Sequence, residues 1–205
     1  MTPQPTDAAQ GAEPDVEPPG RLDRDVLVAA ALELVDRHGV SRFTMRMLGE
    51  HVGHSAMATY RHVAGKDELV ALAADAVLAG VEVPDRGSGT PRERLRTVAQ
   101  NAFLQMAAHP WVAPFLLTRW RIVPNAERVF EAMVEFLSEV EPDRERARLG
   151  VGALRAYLIG WLAGSGLDRV AAPPDGPRHP LSAAAREQFE FGLDAIIVGI
   201  LVSLS

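Results

Sequence analysis

The sequence predicts an all-α protein: three short N-terminal helices in a helix-turn-helix arrangement, followed by a bundle of longer helices. Two observations carry this. Apolar residues recur at helical spacing in most segments between residues 24 and 204, and no run alternates with period two for long enough to make a strand. The interruptions are turn phrases rich in glycine and proline, such as PDRGSGTP and PPDGPRHP.

Residues 1–20 hold five prolines, four acids and no base, with Met1 and Val16 the only large apolar side chains. Such a segment buries too little surface to order itself and is expected to be a disordered tail. From Arg24 to His38, Val26, Leu27, Ala30, Leu34 and Val35 follow helical spacing, and Gly39 is placed to end the helix. Thr44 is suited to cap a short helix through His51, and Gly53 to make the next turn. Ser55 is suited to cap a third helix running to about His62. Three short helices with a glycine-containing turn before the third describe a helix-turn-helix. A fourth helix opens at Asp67, with Leu69, Val70, Ala73, Val77 and Val81 as its apolar positions. Residues 84–91 form a loop, and further helical patterns cover 92–108, 126–140, 144–165 and 182–204. The expected division is a tail at 1–20, a helix-turn-helix domain at 21–66 and a larger helical domain at 67–205.

Composition excludes several classes of function. There is no cysteine, so disulfides, thiol catalysis and zinc-thiolate sites are ruled out. The N-terminus lacks the apolar core of a signal peptide, and a cytoplasmic location is expected. No nucleophile–base pairing, glycine-rich phosphate loop or metal-ligand spacing is visible, so neither enzyme activity nor a cofactor or metal is expected. The apolar stretches LGVGALRAYLIGWLAGSG and FGLDAIIVGILVSL contain Arg155 and Asp194, and both fall short of a bilayer span.

The net charge of −6 is unevenly distributed. Residues 21–66 carry seven bases against five acids and four of the six histidines, while both flanking regions are negative. The local positive balance is what contact with a phosphate backbone requires. Within it, Ser55, Ala56, Met57 and Ala58 are small or slender enough for close approach to a major groove, with Met57 and Ala58 able to meet thymine methyls. Tyr60, Arg61, His62 and Lys66 supply donors for phosphate oxygens, and Thr44 and Arg46 complete the set. The same residues also fit ordinary helix packing with a solvated basic end.

The segment ALELVDRHGVSRFTMRMLGEHVGHSAMATYRHVAGKDELVALAADAVL resembles the tetracycline-repressor (TetR) family of transcriptional regulators, notably in its T-x-R-x-L and Y-x-H-V-x-x-K-x-x-L phrases. The resemblance implies that Tyr60, His62 and Lys66 hold phosphates and that Arg46, Ser55, Ala56 and Met57 lie at or near base edges. Thr59 departs from the pattern, since relatives often carry leucine there, and it is a weaker core anchor. The C-terminal half resembles the effector and dimerisation domain of the tetracycline-repressor branch through HPWVAPF and FEFGLDAIIVGIL. The implied protein is a homodimeric repressor on a palindromic DNA operator, released by a small, largely apolar effector. A DNA-binding dimer with no effector is the alternative.

Residues for these roles can be nominated. Phe103, Met106, His109, Trp111, Phe115, Trp120, Tyr157 and Trp161 offer aromatic and soft surface for a ligand, and Arg155 an anchor for an anionic or carbonyl group or a partner for Glu135 or Glu139. His109 stands near a histidine that helps relatives bind a drug's magnesium, yet His109-Pro110 more simply ends a helix, and a lone histidine lacks a metal-ligand cluster. Gly152, Ala156, Gly160 and Gly164 make a stripe of small residues. Phe189, Leu193, Ile196, Ile197 and Ile200 make an apolar face, and both are candidate dimer surfaces. An intramolecular core fits the same periodicity. Paired recognition helices about 34–36 Å apart favour the dimer.

Overall fold

The Asp23 carboxylate accepts a hydrogen bond from the Val26 amide at 2.9 Å and starts α1, Arg24–His38, in the computed structural model, which describes residues 22–170 and 182–204. The expected disordered tail and the PPDGPRHP segment lie outside the described residues. Gly39, at φ 79°, ends α1. Leu27, Ala30, Leu34 and Val35 are buried as expected, joined by Ala31. Val26 instead faces outward at 44% exposure, because the buried stripe of α1 runs through Leu27 and Ala31.

Two short helices follow, α2 (Met45–His51) and α3 (Ala56–Thr59). Phe43, fully buried just before α2, pins the α1–α2 turn into the core; removing such a ring costs about 3–5 kcal/mol. Helix α4 (Lys66–Ala79) starts one residue before the expected Asp67, on Gly65, and buries two faces. Leu69, Val70, Ala73, Ala74, Val77 and Leu78 are all within the core, and α4 packs on both α1 and α7. It is thus the helix that joins the N-terminal unit to the rest.

Pro91 opens α5 (Pro91–Ala108), where Thr90 and Glu93 cap each other's backbone amides. The phrase HPWVAP is less of a break than expected, since α6 (Val112–Arg119) begins inside it. Pro114 is the third residue of that helix, where no intrahelical partner exists for an amide, so the missing donor is harmless. A single 3-10 turn, Trp120–Ile122, leads to α7 (Pro124–Leu137), then α8 (Arg144–Val170) and α9 (Ala183–Leu204). Among the described residues there is no strand, and no helix is long and apolar enough to cross a membrane. One continuous apolar cluster runs from Leu27 to Ile197.

Two ion pairs fasten the larger bundle. Arg94, 2% exposed, grips Glu139 with both terminal nitrogens at 2.8 and 2.5 Å and lies 4.7 Å from the centre of the Phe136 ring. Arg96 on α5 holds Asp194 on α9 at 2.7 and 3.3 Å, which explains a carboxylate within an otherwise apolar stretch. Hydrogen bonds from these arginines hold the Glu139 and Asp194 carboxyls below the usual carboxylate range. Because their folded values are depressed, the stability they contribute is present above about pH 4 and is lost as pH falls through the lower folded values. Melting curves should therefore show a steady Tm between about pH 7 and 5 and a falling one below about pH 4. Arg96→Gln should lower Tm at neutral pH and blunt the acid loss; an equally steep acid limb would assign that loss to other carboxylates.

Candidate nucleic-acid interface and ligand cleft

The helix-turn-helix is set by two hydroxyl caps and one glycine. Thr44 Oγ1 accepts from the Met47 amide and Ser55 Oγ from the Ala58 amide, both at 3.2 Å. Each hydroxyl keeps its proton as a donor for an outside acceptor. Between the helices Gly53 takes φ 71°, and the His54 amide donates to the Gly49 carbonyl at 2.9 Å. A Cβ on Gly49 would sit 2.7 Å from the His54 oxygen and 2.9 Å from the Ala56 nitrogen, so only glycine lets the turn close this tightly. The sequence reading passed over Gly49; its signal was a glycine inside a seven-residue helix, four residues before Gly53.

Helix α3 is shorter than expected. It ends at Thr59, and residues 60–62 continue as tight turns, with the Arg61 amide donating to Ala58 and the His62 amide to Thr59. The chain must bend there to bury Val63, 4% exposed, and reach α4. Thr59 is fully buried, and its hydroxyl donates to the Ala56 carbonyl at 2.7 Å. The polar group that makes it a weak anchor is thereby satisfied within the helix.

Most of the nominated residues are exposed. Thr44, Arg46, Ser55, Met57, Tyr60, Arg61 and His62 are exposed, and Ala56 and Lys66 are half-buried. Arg46 makes only an exposed 3.4 Å pair with Glu50, and Lys66 donates to the Ser41 carbonyl at 3.4 Å. Met57 is 78% exposed, a large apolar side chain left uncovered among polar neighbours. Ala58 is the exception: it is buried at 8%, because consecutive helical side chains point about 100° apart and an outward Met57 turns Ala58 toward the core.

The nominated ligand residues separate into three groups. Phe103, Tyr157 and Trp161 gather around Phe189, which stacks on Phe103 with centroids 3.7 Å apart, and the Tyr157 hydroxyl donates to the Phe189 carbonyl at 2.9 Å. That cluster joins α5, α8 and α9 as packing rather than as a cavity lining. His109 and Trp111 both reach Asp36 on α1, through Nδ1 at 2.8 Å and the indole nitrogen at 2.9 Å, with Phe115 packed edge-on against Trp111. His109 therefore anchors the α5–α6 corner to the N-terminal unit, and among the described residues there is no metal-ligand cluster.

Met106 and Trp120 do line cavity. A small, partly open space of about 30 Å³ lies between Met106, Trp120, Met133, Arg155 and Leu158, and beside it opens a cleft of about 700 Å³ running from Leu116 to Ile122 and across to Arg155 and Ile159. Arg155 does not pair with Glu135 or Glu139, which are taken by Arg86 and Arg94. Its guanidinium carbon lies 4.7 Å from the Trp120 ring centre and 5.2 Å from that of Phe130.

The candidate dimer residues also divide. Ala156, Gly160 and Gly164 are exposed and Gly152 half-buried, with open space around each of the three glycines. On α9 the expected face is turned inward: Phe189, Leu193 and Ile197 are core, and Ile196 and Ile200 are partly covered. The outward apolar positions of α9 are Phe191 (77% exposed), Val198 (40%) and Val202 (70%). Periodicity marks one broad apolar face on α9 but does not distinguish a face turned to the core from one turned outward.

Residues 27–73 match the family described as bacterial regulatory proteins, tetR family. The chain is 32% identical over 139 residues to an HTH-type transcriptional regulator of Saccharopolyspora erythraea, covering 68% of this chain and 59% of that protein. It is 31% identical over 133 residues to the HTH-type transcriptional repressor DrrR1 of Streptomyces coeruleorubidus, covering 64% and 48%. The chain thus spans 59% and 48% of the length of these two curated relatives. Among solved structures it is similar to the tetR family protein ActR of Streptomyces coelicolor in complex with (S)-DNPA, with TM-score 0.73 and 25% identity over 91% of this chain and 100% of that one.

The contact at Gly49 yields a direct test. Gly49→Ala should cost about 1–3 kcal/mol by overpacking against backbone that has no flexible end to move. Thermal unfolding of the variant should show a lowered Tm, and an unchanged Tm would mean that the turn relaxes freely.

Proposed function

This chain belongs to the tetR family of bacterial regulatory proteins, and from that membership we propose that it is a homodimeric, ligand-responsive repressor of transcription. The observation that carries DNA binding is the surface around α3. Uncovered Met57, two capping hydroxyls with free protons, and the donors of Arg46, Tyr60, Arg61, His62 and Lys66 fall within residues 44–66, most of them exposed. Met57 and Ser55 meet base edges at the groove floor, and Tyr60, His62 and Lys66 hold the flanking phosphates.

A twofold operator calls for a twofold protein. The stripe of Gly152, Ala156, Gly160 and Gly164 with exposed Leu149 on α8, and Phe191, Val198 and Val202 on α9, supports a four-helix interface between two copies. Small residues let the two α8 helices approach closely, and Phe191 supplies buried area. The cleft at Trp120 and Arg155 supports an effector site, as does the small molecule in the ActR complex.

Coupling runs through two connections. Helix α4 belongs to the packing of both halves, and Asp36 ties α1 to His109 and Trp111 next to α6, whose C-terminal end borders the cleft. A ligand that wedges α6 away from α8 would drag the reading unit with it. It must favour the DNA-incompetent arrangement by about 1–3 kcal/mol to act as an ordinary allosteric effector.

Gel-shift titration against DNA flanking the chain's own gene, at several salt concentrations and beside scrambled DNA, tests the regulator. Specific binding with a steep salt slope is expected; Lys66→Ala should weaken all sequences alike and lower the slope by about one. Met57→Arg should change which sequence is preferred. If both variants bound as the parent does, α3 would not be the reading element. For the interface, Phe191→Asp should shift the protein from dimer to monomer in sedimentation and abolish tight operator binding. A dimer that persists would place the interface elsewhere.

A further inference from the structure

The cleft has a charge that its apolar walls conceal. Its lining includes Arg119, Arg121 and Arg155 and no acidic residue, in a chain of net charge −6. Among the described residues none of these three arginines forms an ion pair, whereas Arg86, Arg94, Arg96, Arg128, Arg144, Arg146 and Arg148 of the larger bundle are each tied to a carboxylate or a carbonyl. Arg119 stacks over Phe115 at 5.5 Å, and Arg155 lies close to the Trp120 and Phe130 rings. Glu127, the acid nearest to Trp120 along the chain, accepts from its indole nitrogen and lies 3.6 Å from Arg148.

Ring contacts compensate an arginine only in part. A ring offers no hydrogen-bond acceptor in the plane of the guanidinium, so the Arg155 N–H groups have no acceptor among the described residues. A half-buried cation in this state is matched by a planar anion that offers two oxygens to the guanidinium edge. Apart from Thr118 the rest of the lining is apolar, with Leu116, Leu117, Ile122 and Ile159 beside Trp120. The cleft volume of about 700 Å³ lies within the range of about 300–1,000 Å³ usual for small-molecule sites.

We propose that the effector is an aromatic carboxylate: a flat apolar ring system seated between Trp120 and the α6–α8 wall, with its carboxylate on Arg155 and Arg119 and Arg121 steering it in at the rim. This rests on the reading of the cleft as an effector site and names the class of molecule that fits. It refines a largely apolar effector to one bearing a single acid group.

The probes are benzoate, 2-naphthoate and anthracene-2-carboxylate, each beside its neutral alcohol counterpart, titrated into the full-length protein by calorimetry and tryptophan fluorescence. At least one acid should bind about tenfold or more tightly than its alcohol, as expected for a lost charge-assisted pair. That preference should vanish in Arg155→Gln and shrink only severalfold in Arg121→Gln, with circular dichroism showing both variants folded. Arg155→Lys should restore part of it, since the charge remains without the two-toothed edge. Alcohols that bind as well as acids, a preference that survives Arg155→Gln, or no binding by any acid would each overturn the assignment. Operator release is read separately in the same titrations. An acid that binds through Arg155 without loosening DNA keeps the cleft's preference for aromatic carboxylates and overturns its reading as an effector site.

Discussion

The whole surface proposed to read DNA depends on a hydrogen where any other residue has a carbon. Gly49 sits under the turn that leads from α2 to α3, and the His54 carbonyl and Ala56 nitrogen come too close to it for a Cβ to fit. That approach fixes the angle at which α3 leaves α2. It also puts the Ser55 cap and the Met57 side chain outward while Ala58 and Thr59 turn into the core. With only four residues, α3 has almost no helical stability of its own, and its conformation is held by caps, turns and neighbours. The bend after Thr59 then brings Lys66, at the start of α4, next to the Ser41 carbonyl ahead of α2.

From that unit, mechanical continuity extends into the larger bundle by two routes of different kinds. One is packing: α4 is buried along both flanks, so it cannot tilt without moving either α1 or α7. The other is polar: the Asp36 carboxylate accepts from Trp111 and pairs with His109, closing a bridge between the end of α1 and the α5–α6 corner. Asn125 adds a third tie, donating through its backbone and side chain to Asp75 on α4 at 2.6 and 2.9 Å. Tightly packed elements move as units rather than bending, so in the proposed dimer a wedge in the cleft would change the spacing of the two α3 helices.

The all-α class and the helix-turn-helix were legible in the sequence because period, caps and glycines agree locally: Asp23, Thr44 and Ser55 cap, and Gly39 and Gly53 turn. Helix α6 was not, because Pro110 and Pro114 look like breaks until one sees that Pro114 falls where no amide is needed. The fates of the aromatics were hidden for another reason. Phe103, Tyr157 and Trp161 are equally suited to a cavity or a core, and only the arrival of Phe189 from α9 makes them a core. Asp36 gave no local signal at all, since its partners lie more than seventy residues away. Arg155 did stand out as a lone cation in an apolar helix, but the ring contacts that leave its edge free are a tertiary feature.

The central claim is that two copies of α3 enter successive major grooves as a symmetric pair. Hydroxyl-radical footprinting on a DNA fragment selected by this protein from a random pool tests it most directly. Two protected clusters related by twofold symmetry, with centres about one helical turn or a multiple of it apart, are predicted. A single protected patch, or uniform protection without symmetry, would contradict it.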